Sequence, residues 1–367
     1  MRILYLSHCD WDWARQRPQQ LAAALAEHGH EVHVRYRPFI RRKNLVHRPS
    51  DADSGLRSLR AAWWLVPTRF ATIHPLLLGA SKLAIRLLSR KLRPDVIWYS
   101  SPELEPVAVA VGTPTLWDCM DLTSLMRSHD ETWSARVRHL EGLASQSASA
   151  VVVSSALLAA EVGRQSLDQT KIFTVHNGFA SAMAWPVESL PSPNLVGAYF
   201  GTVAEWFDFE LVLELLAAEP RLEFRIIGPC VVEIPVHPRL RYLGVMAHAD
   251  LPAATVDVDF FMMPFRVSRL IEAVDPVKLY EYVASGRPAF APQYPEIERF
   301  SPFVSLYESN FECLRLVHQM VQGERLEDDS AERTRFLLAN SWEERSREAT
   351  EALDWAVHIR CAPVTGG

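Results

Sequence analysis

The sequence predicts an α/β protein built from two Rossmann-like, doubly wound parallel-sheet domains. Three observations carry this. Short apolar runs alternate with helical patterns along the chain. A proline-containing stretch, Trp185–Asn194 (WPVESLPSPN), breaks that rhythm near the midpoint, after which it restarts. The length, 367 residues, suits two domains of roughly 100–200 residues each. The predicted division is 1–184, a linker at 185–194, 195–340, and a C-terminal helix at 341–367 that can cross back to the first domain.

In chain order, Arg2–Ser7 (RILYLS) reads as a strand, followed by the polar loop HCDWDWARQR. Pro18 suits the first turn of a helix that Gly29 would close. Glu31–Tyr36 (EVHVRY) alternates as a second strand, completing a βαβ unit. Further strands are predicted at Asp95–Tyr99, Thr113–Trp117, Ala150–Val153 and Ile172–Val175. After the break, the strands are Val196–Gly201, Glu223–Gly228, Asp257–Met263 and Pro288–Ala291. Open parallel sheets bind ligands beyond the carboxyl ends of their strands, so two such domains facing each other would enclose a cleft there.

Composition excludes several classes. Hydrophobic residues make up 49% and charged residues 22%, which rules out a disordered chain. The net charge of −6 argues against a nucleic-acid binder. Five scattered cysteines form no C-x-x-C pair or zinc spacing, which predicts a reducing compartment and no metal. No apolar run reaches the roughly 18–20 residues of a membrane span, so the expected location is cytoplasmic. The total charge hides a split. Arg35 to Arg93 holds 14 Lys/Arg and 2 Asp/Glu, a local +12, and includes Trp63 and Trp64. That segment predicts a surface for an anionic membrane on the inner face of the cell, against the plainer reading of a solvated helix.

The stretch DVDFFMMPFRVSRLIEAVDPVKLYEYVASGRPAFAP is the most informative. A buried strand leads through an arginine-containing loop into a helix that Asp275 can cap and Pro276 can begin. Lys278 falls in the first turn, where free backbone N–H groups favour an anion. Glu281 lies three residues on, on the same face. This suits a nucleotide diphosphate, with Lys278 on the phosphates and Glu281 on the ribose hydroxyls. An exposed Lys–Glu pair is the competing reading.

This stretch resembles the donor-binding signature P-x-K-x-x-E-Y-x-A-x-G-x-P of GT-B glycosyltransferases of the family 4, or group 1, kind. Pro276, Lys278, Glu281, Tyr282, Ala284, Gly286 and Pro288 match it. WDWARQRPQQLAAALAEHGHEV, WDCMD, SSALLAAEV, HNGF, YFGTVAEWFD, IIGP and YLGVMAHADLP resemble the same family in the same order. The resemblance implies transfer of a sugar from a nucleotide-diphosphate sugar, with no cofactor, to a saccharide or lipid-linked saccharide in surface polysaccharide synthesis. It also implies retention of anomeric configuration. Three departures stand out. The first of the family's two glutamates falls on Ala273, its Arg and Lys are replaced by Glu205 and Trp206, and Ala180 replaces the acid of N-G-x-D. Arg266 and Arg269 are then the further cations expected near the phosphates.

Gly201, Thr202 and Gly228 end strands of the second domain, where small residues let a nucleotide approach the backbone. In the first domain, Asp118 and Asp121 follow a predicted strand, where a carboxylate can take a hydroxyl proton or stabilise a developing positive charge. The loop after the first strand lacks G-x-G-x-x-G, which argues against a dinucleotide enzyme. Its Asp10, Trp11, Trp13, Arg15 and Arg17 are the expected acceptor-binding groups. Lone His8, His176 and His248 show no mutual spacing and carry no expected role. The alternatives are a nucleotide-sugar hydrolase or epimerase of the same fold, and a non-catalytic nucleotide-sugar or glycan-binding protein.

Overall fold

The structure, a computed structural model, describes residues 1–11, 16–37, 56–62, 74–127, 130–180, 194–324 and 329–358. Two compact units compose the chain. Unit 1 is Met1–Asn177 with Trp342–Gly367, and unit 2 is Gly178–Ser341. The predicted linker lies outside the described residues except for Asn194.

Unit 1 contains a seven-stranded parallel sheet. Its strands are β1 (Arg2–Ser7), β2 (Glu31–Tyr36), β3 (Ser58–Ala61), β4 (Val96–Tyr99), β5 (Thr115–Cys119), β6 (Ala150–Val153) and β7 (Ile172–Thr174). They lie in the order β3-β2-β1-β4-β5-β6-β7. Unit 2 has six strands: β8 (Leu195–Phe200), β9 (Leu222–Ile227), β10 (Leu240–Gly244), β11 (Phe260–Met262), β12 (Ala289–Pro292) and β13 (Ser305–Tyr307). Their order, β10-β9-β8-β11-β12-β13, repeats that of the first sheet. Both are doubly wound, reversing direction between β1 and β4 and between β8 and β11. Crevices at such reversals receive the ligands of this architecture.

Central strands of a covered parallel sheet are buried on both faces, so they read as continuous apolar runs. Ile3 to Leu6 of β1 and Val151 to Val153 of β6 are fully buried, and the sequence pattern finds both strands. β3, β10 and β13 lack that signal because they are edge strands. Arg241, Tyr242 and Leu243 of β10 are exposed. The first helix, Arg17–Glu27, starts at Gln16, which forms a reciprocal cap with Gln19.

Two local expectations need correction. Thr113–Trp117 was too short at its carboxyl end, because the ladder to β6 continues through Asp118 and Cys119. Asp118 is therefore inside the sheet rather than beyond it. Asp275 does not cap the following helix, Val277–Ser285. Pro276 occupies the cap position without a side-chain bond. The buried Asp275 carboxylate instead accepts from Arg299 Nη2 at 2.6 Å and from Tyr280 Oη at 3.3 Å.

The last helix, Trp342–His358, belongs to unit 1, where it packs on helix Arg17–Glu27 and on the sheet near β6. It buries Trp342, Ala349, Ala352, Leu353 and Ala356, and Trp355 meets Phe173 edge-on at 6.0 Å. No helix among the described residues is long and apolar enough to cross a membrane.

Candidate functional site

In unit 2 the candidate site forms where β8 and β9 end. Gly201 and Gly228 follow those strands directly with φ of +137° and +131°, which only glycine adopts without strain. The two backbones abut. A Cβ added to Gly228 would lie 2.3 Å from the Gly201 carbonyl oxygen. A Cβ on Gly201 would lie 3.0 Å from Lys278 Cε. Tyr199 Oη fixes the turn by donating to the Thr202 carbonyl at 2.8 Å. Bare peptide groups and one flexible cation therefore share this corner.

Lys278 reaches it from the first turn of helix Val277–Ser285. Its ammonium stands 4.9 Å from the Phe265 ring centroid and 5.6 Å from that of Tyr199. Burial against these rings lowers its pKa to about 8, with the Glu281 charge opposing the shift. A cation held partly desolvated, without a salt-bridged carboxylate among the described residues, is poised for an incoming anion.

Glu281 lies one turn along the same helix, and only 5% of it is exposed. Its Oε1 is in close contact with His248 Nε2. Sequence reasoning passed over His248 because its partner is 33 residues away. The available signal was its position in a loop just after β10. The two arginines expected near the phosphates do not gather here. Arg266 is exposed beside Asp208 (3.2 Å) and Glu210 (3.8 Å). Arg269 pairs with Glu272 at 3.4 Å along its own short helix. Ala273, where the family has its first glutamate, is fully buried.

Unit 1 gathers a different set at the carboxyl ends of β1 and β5. Arg17 Nε meets Asp118 Oδ1 at 3.0 Å, and the two side chains are 3% and 0% exposed. Arg17 Nη1 also donates to the His176 carbonyl and to Asn177 Oδ1, each at 3.1 Å. One guanidinium thus ties the first helix to β5 and to the segment after β7. Nη2 has no hydrogen-bond partner among the described residues. Burial pushes the Asp118 carboxyl upward while Arg17 pulls it back.

Asp121 lies just past β5 and is half-buried. Desolvation raises its pKa to about 7, with Arg17 opposing and Asp118 reinforcing the rise. His8 follows β1 directly, and its Nδ1 lies 2.8 Å from Ser100 Oγ at the end of β4. Burial lowers its pKa to about 4, so the imidazole is neutral near pH 7. It too was passed over, although it occupies the reversal point of the first sheet.

The remaining acceptor-side expectations fare differently. Trp11 is 1% exposed, edge-on to Tyr5 at 6.5 Å and tilted against Tyr36 at 6.2 Å. It packs in the core and offers no open face to a sugar. Asp10 is fully buried as well. Trp13 and Arg15 lie outside the described residues, as do 38–55 and 63–73 of the basic segment, Trp63 and Trp64 included. Arg35 is 9% exposed and donates to the Val34 carbonyl, so it adds nothing to a surface.

Known proteins resemble this chain in sequence and in fold. Residues 14–178 match the family model of a glycosyl transferase 4-like domain. A Bacillus subtilis (strain 168) protein, assigned as a glycosyltransferase of teichuronic acid biosynthesis, is 24% identical over 233 residues. That match covers 58% of this chain and spans 59% of the relative's length. Sucrose-phosphate synthase from Thermosynechococcus elongatus superposes with a TM-score of 0.68 at 14% identity, over 98% of this chain and 97% of its own. Anabaena HepE, solved in complex with UDP, gives 0.66 at 14% identity, over 96% and 100%. The chain has the GT-B fold that these solved structures share.

Proposed function

We propose that this GT-B chain is a glycosyltransferase. It moves a sugar, most simply a hexose, from a nucleotide-diphosphate donor to a saccharide or lipid-linked saccharide in surface polysaccharide synthesis. The observation that carries the proposal is Lys278, held against Gly201 where the Gly201 and Gly228 backbones meet at the carboxyl ends of β8 and β9. A diphosphate fits such a corner because peptide groups approach without Cβ obstruction and the ammonium supplies the counter-charge. Glu281 then accepts from the ribose hydroxyls. That HepE was solved with UDP supports the donor class.

In the transfer, the bond between the anomeric carbon and the β-phosphate oxygen breaks, and one to the acceptor oxygen forms. Lys278 and the helix start meet the charge on the departing diphosphate, so no metal or cofactor is assigned. The acceptor hydroxyl must lose a proton, and Asp121 is our candidate to receive it. Its pKa of about 7 places it near neutrality, where proton acceptors are most effective. We expect retention at the anomeric centre and a cytoplasmic site of action.

The test is nucleoside-diphosphate release from UDP- and GDP-sugars, with and without an acceptor extract. Release that depends on acceptor supports transfer. Release without acceptor identifies a hydrolase or epimerase instead. Nucleotide binding with no release identifies a binding protein.

A further inference from the structure

His248 has no part in the transfer scheme, yet it is in contact with a buried carboxylate of the donor site. It stands in the segment after β10, where it opens a short 3-10 turn, His248–Asp250. The Asp250 N–H closes that turn by donating to the Ala247 carbonyl at 2.9 Å. Met246, two residues earlier, packs against the core of unit 2 and anchors the segment. Glu281 comes from a different element, the middle of helix Val277–Ser285. Its side chain is buried, while the imidazole keeps partial access to solvent. Among the described residues, His248 is the side chain in hydrogen-bond contact with Glu281.

An ionised carboxylate can only accept, so this contact puts the imidazole hydrogen on Nε2 and directs it at Oε1. Lys278, on the same helix, makes no ion pair with Glu281 among the described residues and lies against the Phe265 and Tyr199 rings instead. A carboxylate offers about four lone-pair sites on its two oxygens. His248 takes one, which leaves Oε2 and the second site of Oε1 for a ligand. Two adjacent hydroxyls donating to one carboxylate would use both. The last torsion of a glutamate is broad, so a carboxylate without a second anchor swings about it. The bond from His248 stops that swing and keeps both oxygens turned the same way.

We infer that His248 is a positioning residue: by fixing the plane of the Glu281 carboxylate, it makes the site selective for ribonucleotide donors over 2′-deoxyribonucleotide donors, deoxythymidine-diphosphate sugars included. The inference rests on the donor reading above, in which Glu281 accepts from the ribose hydroxyls. A site that bonds both hydroxyls loses a hydrogen bond to a charged acceptor when the 2′-hydroxyl is missing. Once the carboxylate can swing, the two-point contact gives way to a single bond. A deoxyribose makes that single bond equally well, so the selectivity goes with the imidazole.

Titration calorimetry of the full chain with UDP and with 2′-deoxy-UDP reads the effect, since the two probes differ by one hydroxyl. Wild type should bind UDP about 10- to 100-fold more tightly. His248→Ala should bring the ratio close to one, by weakening UDP about tenfold and 2′-deoxy-UDP little. His248→Phe, which keeps a ring in place without a donor, should do the same. His248→Gln should restore most of the ratio, because its amide N–H can donate to the same oxygen. Equal affinity of the wild type for the two nucleotides overturns the inference. So does a ratio that survives His248→Ala and His248→Phe, even where both affinities fall together, and His248 is then a tether of the loop after β10. Those results leave the donor reading standing, because UDP still binds. Wild type that binds neither nucleotide overturns the donor reading, and this inference with it.

Discussion

At the carboxyl ends of the first sheet, charges are buried against each other; at those of the second, the backbone is bare and a cation rests on aromatic rings. Arg17 and Asp118 pair almost without solvent, and Arg17 also holds the peptide after β7. Lys278 has no salt-bridged carboxylate among the described residues, and burial lowers its pKa against the opposing charge of Glu281. The same strand order thus supports two uses of charge. A paired buried charge fixes segments distant in sequence, whereas a cation held short of full solvation is available to a ligand.

The sharpest way to break this comparison is Arg17→Ala. It would leave Asp118 buried and unpaired, which should cost about 3–5 kcal/mol of stability. Denaturant unfolding of the full chain reads this, and an unchanged midpoint would show that the pair is not structural. Arg17→Met with Asp118→Leu should recover much of the loss, because both charges then leave together.

Next in size is Gly228→Ala. The left-handed backbone costs roughly 1–3 kcal/mol for a residue with a side chain, and the Cβ also strikes the Gly201 carbonyl oxygen. Both stability and UDP affinity should fall, by calorimetry and titration respectively. Lys278→Met sharpens the contrast from the other side. It keeps the stem against Gly201 and removes the charge, so UDP should bind about 10- to 100-fold more weakly, as for loss of a charged hydrogen bond. Stability should scarcely change, and a large loss would place Lys278 with Arg17 as a structural cation.

The smallest effect is graded by pH. Lys278 titrates near 8 in the free protein, so UDP affinity should fall as pH rises through that value. The stability contribution has the opposite sign. A lysine with a lowered folded pKa leaves the unfolded chain binding more protons, so stability should increase from about pH 8 towards the ordinary lysine value. A flat UDP-binding profile between pH 7 and about 9.5, measured by titration, would mean that the ammonium is not the phosphate ligand.

Much of this was legible in the sequence because the informative pieces are local. β1, β2 and β6 are continuous or alternating runs, and the predicted bounds match the observed ones. Lys278 and Glu281 share a helical face by spacing alone. Pairings across long sequence separations were not legible. Arg17 finds Asp118 after 101 residues, and His248 finds Glu281 after 33. Trp11 read as a sugar platform because it stands among polar residues, yet three-dimensional packing draws it under Tyr5 and Tyr36. Asp275 looked like a cap by position, but Arg299, 24 residues later, competes for the same carboxylate.

Assigning helix Trp342–His358 to unit 1 has a consequence for biosynthesis. The seven strands of the first sheet leave the ribosome well before the helix that covers part of them, with all of unit 2 emerging in between. Unit 2 runs unbroken from Gly178 to Ser341 and can close on itself as soon as it is released. Unit 1 must wait with an apolar seam uncovered, until Ala349, Ala352, Leu353 and Ala356 arrive to seal it. A nascent chain stalled before Trp342 would therefore display that seam to chaperones, and release of the last helix would end the exposure.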